Sequence, residues 1–185
     1  MEALGPEARR ELLRIAREAI RAGLRGRRYV PEEPADPALR RPAGVFVTLH
    51  ENGALRGCIG TFQSDRPLYR NVAEMAQAAA FEDPRFPPLR PEEFPRVDLE
   101  ISVLSPMERV PDPREVQVGR HGLYIVQGPR RGVLLPQVAV EQGWDRETFL
   151  AQTCLKAGLP PDAWSRGAEI YVFEAEVFGE KDEGA

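Results

Sequence analysis

The sequence predicts an α+β fold, with a mixed, mainly antiparallel sheet and helices packed on it. Apolar residues recur at helical spacing in some segments and alternate with polar residues in others. Asn-Gly and Gly-Pro dipeptides mark the turns of two short hairpins. The resulting order is helix, hairpin, helix, strand, hairpin, helix, strand, which lacks the strict strand and helix alternation of a parallel-sheet protein.

The first helix is predicted from Pro6 to Leu24, because Pro6 suits a first helical position and Gly23 lies near the end. One face of this helix carries four arginines, bordered by glutamates: Arg10, Arg14, Arg17, Arg21, with Glu7, Glu11 and Glu18. This pattern fits a solvated face with ion pairs within the helix. An RNA-binding stripe is the alternative, which the bordering acids disfavour because they repel phosphate.

A loop is expected from Tyr29 to Pro42, followed by strands from Gly44 to His50 and from Ala54 to Phe62. Glu51-Asn52-Gly53 is the turn signal between these strands. An alanine-rich helix is predicted from Leu68 to Phe81, with Ser64 or Asp65 as its N-cap.

In the second half of the chain, the sequence pattern predicts a half-buried strand, a hairpin, a helix and a last strand. Their expected ranges are Asp98 to Leu104, Leu123 to Gln127 with Gly132 to Leu135, Asp145 to Lys156, and Glu169 to Phe178. In the last strand, Tyr171, Phe173, Ala175 and Val177 are expected on one side. Cys154 is expected in the core, and Trp144 and Trp164 at its edge.

Composition and charge limit the classes of function. The chain has 185 residues, 42% of them hydrophobic, and carries a formal net charge of −4. It contains no apolar run near the roughly 20 residues that span a bilayer, and no signal-peptide pattern at its start, so we expect a cytoplasmic protein. Residues 42–185 hold 15 basic groups against 22 acids, which makes a general nucleic-acid coat improbable. Two cysteines and two histidines without metal-ligand spacing predict no metal site.

The segment Leu55 to Thr61, LRGCIGT, is the strongest candidate for function. Gly57 and Gly60 interrupt a strand, which predicts a bulge or a close approach of some neighbour to the backbone. Arg56 stands two residues before Cys58 and would therefore face the same side of an extended chain, where a guanidinium favours the thiolate. The alternative is that Cys58 is a small buried apolar residue.

Other polar residues could join this site. Asp83 and Arg85 could face a ligand as a rigid pair, or could tie down their own loop. Glu100 shares a strand face with Ser102, and if that face lines the site Glu100 could act as a general base. His50 ends a strand next to that of Cys58, so it could form a Cys-His pair or simply be exposed.

The same segment resembles the hallmark of the AMMECR domain family, known in prokaryotes as protein A of the AmmeMemoRadiSam system. The resemblance continues through GVFVTL, AAAFEDPRF, LEISVLS, VGRHGLYI, GVLLPQVA and FLAQTCLKAGL and covers about residues 10–178. It implies one AMMECR domain over residues 1–185, with residues 179–185 as a flexible tail. It also implies an α+β fold with a larger and a smaller lobe, and a cleft between elements at LRGCIGT. The family's activity is not established, and its genes often neighbour those of Memo-like and radical SAM proteins.

Three functions remain open. The first is an accessory protein that binds a partner or a small anionic or nucleotide-like molecule, with no cofactor identified. Its candidate ligand-binding residues are Arg56, Gly57, Cys58, Gly60, Thr61, Asp83 and Arg85. The second is a cysteine-dependent transferase or hydrolase, with Cys58 as nucleophile and Glu100 or His50 as base. The third is RNA binding by the arginine stripe of the first helix.

Overall fold

The chain forms two compact units in the computed structural model, which describes residues 2–62 and 65–183. The first unit comprises Met1–Leu104 and Glu176–Ala185, and the second comprises Ser105–Ala175. Each unit contains helices and a four-stranded sheet, and the pairings of known register are all antiparallel. The predicted α+β class is confirmed.

Among its described residues, the first unit has three α-helices and four strands. The helices are α1 (Pro6–Leu24), α2 (Pro37–Arg40) and α3 (Leu68–Phe81), and the strands are β1 (Val45–Glu51), β2 (Ala54–Thr61), β3 (Val97–Leu104) and β8 (Ala175–Gly179). The strand order is β2-β1-β3-β8, so β2 forms one edge of the sheet. One sheet face packs against α1 and α3, where Val47, Leu49 and Ile101 are fully buried.

The second unit has its own sheet and its own core. Its elements are β4 (Glu108–Arg109), β5 (Gly122–Gln127), β6 (Arg130–Leu134), α4 (Pro136–Gln142), α5 (Arg146–Lys156) and β7 (Glu169–Phe173). The strand order is β4-β7-β5-β6. Phe149, Leu150 and Cys154 of α5 are fully buried, as predicted for Cys154, and Trp144 and Trp164 pack against this core.

Local sequence signals predicted several elements to the residue. Helices α1 and α3 have the predicted bounds. The Asn-Gly turn has positive φ at both positions, 52° at Asn52 and 80° at Gly53, which is the conformation that this dipeptide favours. Asp145 caps α5, with its carboxylate accepting a hydrogen bond from the Thr148 amide at 2.8 Å.

Other local predictions were wrong. The last strand is two strands, β7 and β8, which lie in different sheets on either side of Glu174. Tyr171 faces away from the core against Tyr124, with ring centroids 5.8 Å apart, while Ile170 and Val172 are buried. The N-cap of α3 is Pro67 rather than Asp65, and Ser64 lies outside the described residues.

Two helices lie where none was predicted. Helix α2 falls within the expected loop, where Asp36 caps it, and α4 begins at Pro136.

Following β8, Glu180 accepts a hydrogen bond from the Leu99 amide at 3.0 Å. Within the described ranges, no helix combines the length and apolar character that crossing a membrane requires.

Candidate functional site

Cys58 lies on β2, next to a bulge in the edge of the first sheet. Leu49 of β1 is opposite Gly57, whereas the following residue, His50, is opposite Leu55. Arg56 is therefore an extra residue in β2, and the strand bends there. The pairing places Cys58 directly opposite Thr48.

Both glycines of the motif allow neighbouring protein atoms to approach the backbone. A Cβ atom on Gly57 would lie 2.1 Å from the carbonyl oxygen of Ala79 in α3. A Cβ atom on Gly60 would lie 2.2 Å from the ring of Phe46. The predicted close approach is present, but the neighbours are a helix and an aromatic ring, so the glycines serve packing at these points.

Asp83 and Arg85 hold the outer edge of β2 at Cys58. The Cys58 amide donates a hydrogen bond to Asp83 Oδ2 at 3.0 Å, and Arg85 Nη2 donates to the Cys58 carbonyl at 3.4 Å. Arg85 also forms a bidentate pair with Asp83, with Nε–Oδ1 at 3.0 Å and Nη2–Oδ2 at 2.8 Å. The pair satisfies the backbone groups that an edge strand otherwise leaves unpaired.

The two members of this pair differ in exposure. The Asp83 side chain is 2% exposed and the Arg85 side chain 55%. Hydrogen bonds from the Arg85 side chain, and those from the amides of Cys58 and Arg85, hold the pKa of Asp83 far below its ordinary value, although burial opposes the shift. Asp83 also raises the pKa of Arg85. The site therefore holds an ion pair at neutral pH, with its guanidinium facing outward.

The thiol of Cys58 is half-buried and contacts a hydroxyl that the sequence did not single out. Thr48 Oγ1 donates a hydrogen bond to Cys58 Sγ at 3.2 Å. Thr48 is opposite Cys58 on one side and opposite Glu100 on the other, so the three side chains form a row across β2, β1 and β3. Strands lie about 4.8 Å apart, which places the Cα atoms of Cys58 and Glu100 roughly 10 Å apart, with Thr48 between them.

Arg56 does not contact the thiol, although its sequence position suggested that it would. Its buried guanidinium donates to both carboxylate oxygens of Glu93, at 2.9 and 3.2 Å, and to the Pro87 carbonyl at 2.8 Å. These hydrogen bonds lower the pKa of Glu93 to about 2. Arg85 is instead the guanidinium beside Cys58, and the ring of Phe86 lies 5.6 Å from Arg85 and 5.8 Å from Arg56.

The remaining candidates lie apart from the thiol. Thr61 is opposite the buried Val45 and so faces the helix side of the sheet, away from Cys58. His50 lies one pair further along the outer face and lines a cavity of about 290 Å³ with Asp98 and Glu100. Within residues 2–62 and 65–183, no hydrogen bond joins His50 to Cys58, and no cluster of three potential metal ligands occurs.

Three arginines of the α1 stripe pair with acids. Arg14 pairs with Glu11 at 2.6 Å, Arg21 pairs with Glu18, and Arg17 contacts Glu180 at 3.0 Å. In the second unit, Arg120 pairs with Glu174 at 2.5 Å. The pairs of Arg14 and Arg21 match the ion pairs within α1 that the sequence favoured, whereas Arg17 is largely buried and pairs with an acid outside the helix.

Fold and motif together define an α+β protein with a cysteine motif on an edge strand of a sheet, and α+β is the class that the resemblance implied. The chain belongs to the AMMECR1 family, whose model matches residues 13–178. It is 47% identical to Protein MK0488 of Methanopyrus kandleri, over 92% of this chain and 87% of that protein. It is 48% identical to a protein of Thermococcus gammatolerans, over 92% of this chain and 89% of that protein.

A crystal structure of the uncharacterised protein PH0010 from Pyrococcus horikoshii has the same fold. It superposes with a TM-score of 0.85 at 43% identity, covering 95% of this chain and 92% of that one.

Proposed function

We propose that this protein binds a small anionic ligand at the surface formed by Cys58, Arg85 and Thr48. The observation that carries the proposal is the outward-facing Arg85 guanidinium, which Asp83 and the Cys58 backbone hold beside a half-exposed thiol. A guanidinium fixed in one orientation recognises carboxylate or phosphate with little loss of conformational entropy.

The binding mode differs from the one that the motif alone suggests. The Cys58 amide is bonded to Asp83, and Arg56 is bonded to Glu93, so neither is available to a ligand. Asp83 also balances the charge of Arg85. Affinity would then come from directed hydrogen bonds to the guanidinium and from contact with Cys58, rather than from net positive charge.

Differential protection of the thiol tests this proposal. Citrate and inorganic phosphate at about 10 mM should slow the labelling of Cys58 by iodoacetamide in the wild-type protein, because a ligand on Arg85 covers the thiol. Arg85→Gln should abolish the protection. Arg96→Gln is the matched control, because Arg96 is equally exposed and also pairs with a carboxylate, Glu51. Protection that survives Arg85→Gln, or none from either anion, would rule out the proposal.

A cysteine-dependent transferase or hydrolase is the second candidate, and the Thr48 hydrogen bond favours it. A hydroxyl that donates to Sγ stabilises negative charge on sulfur, which makes the thiol a better nucleophile at a given pH. Glu100 is in the same row, on the far side of Thr48, so it could accept a proton from a bound substrate rather than from the thiol itself.

Relative labelling rates test this candidate. Cys58 should react with iodoacetamide much faster than Cys154, which is fully buried and whose pKa is raised by burial. Thr48→Val should slow the labelling of Cys58 at a fixed pH, because it removes the hydrogen bond to sulfur while keeping the side-chain shape. Equal, slow labelling of both cysteines would remove the enzyme candidate.

A role as a cytoplasmic accessory protein to a Memo-like protein and a radical SAM protein is part of the proposal, and the family resemblance supports it. Co-purification of the tagged protein from its host, with Arg85→Gln as a comparison, tests this role. Enrichment of neither protein would argue against it.

A further inference from the structure

A second pocket lies on the first unit, away from Cys58. It is a cavity of about 390 Å³ between the chain that follows α1 and the N-terminal half of α3. Its charged lining residues are Arg28, Arg66, Arg70 and Glu74. A volume of this size falls in the range of small-molecule sites in proteins.

One face of α3 lines this cavity, and two hydrogen bonds hold the opposite wall against that helix. Arg70, Glu74 and Gln77 are spaced by four and three residues and so share one face of α3. Gln77 Nε2 donates to the Ala19 carbonyl at 2.8 Å and to the Arg27 carbonyl at 3.2 Å. Gln77 therefore fixes the end of α1 and the segment after it against α3, which holds Arg28 at the rim.

The lining of the pocket is positively charged, although the protein as a whole is negatively charged. The chain carries a net charge of −4, yet the cavity has three guanidinium groups and one carboxylate. Glu74 pairs with Arg66 at 2.7 Å, which leaves Arg28 and Arg70 without a carboxylate partner among the described residues. Arg70 instead contacts the Tyr69 side chain, with Nε donating to its hydroxyl at 3.2 Å. Two cations without an acidic partner at a concave surface are suited to an anion.

The same pocket offers an apolar surface beside its cations. Tyr29 and Val30 line it, and Val30 is 71% exposed, the highest value among the large exposed hydrophobic residues of the described chain. The N-terminus of α3 also lies here, where Pro67 supplies no capping side chain, so its amide dipoles add positive potential. The lining thus combines a charged end and an apolar end.

We propose that this pocket binds a small phosphorylated metabolite, with the phosphate on Arg28 and Arg70 and the organic body against Tyr29 and Val30. A single phosphate matches two cations that share one concave site. Extended RNA fits less well, because it needs a continuous basic track, and the neighbouring arginines of α1 are paired with acids.

Isothermal titration of the full chain with AMP tests the proposal, with adenosine and a single-stranded RNA 12-mer as comparison ligands. AMP should bind, and adenosine should bind at least about tenfold more weakly, because the phosphate makes the charge-assisted contacts. Arg28→Gln and Arg70→Gln should each weaken AMP binding about tenfold. Both residues are exposed, so circular dichroism should show unchanged folding.

Arg25→Gln is the control, because Arg25 is an exposed arginine of the same segment that does not line the cavity. It should bind AMP as the wild type does, and so should Arg85→Gln, which separates this pocket from the Cys58 surface. Failure of AMP to bind at about 5 mM, or equal binding by the Arg28 and Arg70 variants, overturns the proposal. Binding of RNA that depends on these arginines and that AMP does not displace also overturns it.

Discussion

At the scale of single residues, the neighbours of Cys58 differ from those that adjacency in sequence suggested. Arg56 was expected beside the thiol because alternate residues of a strand share a face. The bulge removes that relation, and Arg56 pairs with Glu93 instead. The register of the Asn-Gly turn alone would place Val47 opposite Cys58, and the bulge shifts the pairing by one residue to Thr48. Thr48 therefore could not be found from the turn dipeptide without knowledge of the bulge.

The Asp83 carboxylate should be the most sensitive side chain of the site. Asp83→Asn removes the charge from a buried group that accepts hydrogen bonds from Arg85 and from the Cys58 amide, so we expect it to lower the free energy of unfolding by about 2 kcal/mol. Asp98→Asn is the control, because the Asp98 side chain is 38% exposed and pairs with the exposed Lys181, and it should cost less than about 1 kcal/mol. Urea denaturation measures both, and equal costs would contradict the structural role of Asp83.

Acid should destabilise the fold through Glu93. Its pKa falls from an ordinary value of 4.5 to about 2 because it accepts hydrogen bonds from Arg56. The unfolded chain therefore binds the proton more tightly, so this contribution to stability is complete above about pH 4.5 and is lost as pH falls towards 2. The free energy of unfolding, measured by urea denaturation at a series of pH values, should fall less steeply with decreasing pH in Glu93→Gln than in the wild type. If the free energy of unfolding of the variant changes with pH as steeply as that of the wild type, the acid sensitivity comes from other carboxyl groups.

At the scale of elements, the motif is explained by how helix α3 packs on strand β2. The carbonyl of Ala79 approaches the backbone at Gly57, and the loop after α3 supplies Asp83 and Arg85 to the edge of the same strand. The glycines, the cysteine and the Asp-Pro-Arg segment are thus parts of one helix-strand junction. The sequence indicated that something lies close to Gly57 but not what, because tertiary packing decides the neighbour.

The two glycines should differ in their tolerance of a methyl group. Gly57→Ala places Cβ against a helix carbonyl that cannot move without displacing α3, so we expect a loss of about 3 kcal/mol. Gly60→Ala meets the base of the Phe46 ring, so it requires a change of rotamer about the Cα–Cβ bond of Phe46 but no movement of a helix backbone, and should cost less. Thermal and urea unfolding of the two variants measure the difference. A Gly60→Ala variant that is the less stable of the two would refute this account of the junction.

At the scale of the whole molecule, local sequence patterns predicted the helices and strands better than they predicted which sheet each strand joins. Helices α1, α3 and α5 and both hairpins follow from periodicity, caps and turn dipeptides. The division of the last strand could not be read, because alternation continues through EIYVFEAEVF while the backbone changes sheets at Glu174. Short elements such as α4 carry too few residues for a periodic signal.

The second unit should fold when expressed alone as residues 105–175. Its ends are adjacent, since the Ser105 amide donates to the Glu174 carbonyl at 2.8 Å, and it contains a complete sheet and a separate apolar core. Trp144 and Trp164 are the only tryptophans in the chain, and both pack against that core, so their fluorescence reports its unfolding. We expect the fragment to show a cooperative urea transition with a red shift in tryptophan emission.

A fragment ending at Ala168 is the matched control for this prediction. It keeps both tryptophans and all of α5 but lacks β7, which lies between β4 and β5 in the sheet. Removal of an interior strand exposes the core and unpairs the backbone of both neighbours, so this shorter fragment should give no cooperative transition. Emission of the 105–175 fragment that is already red-shifted in the absence of urea would show that its core needs the rest of the chain.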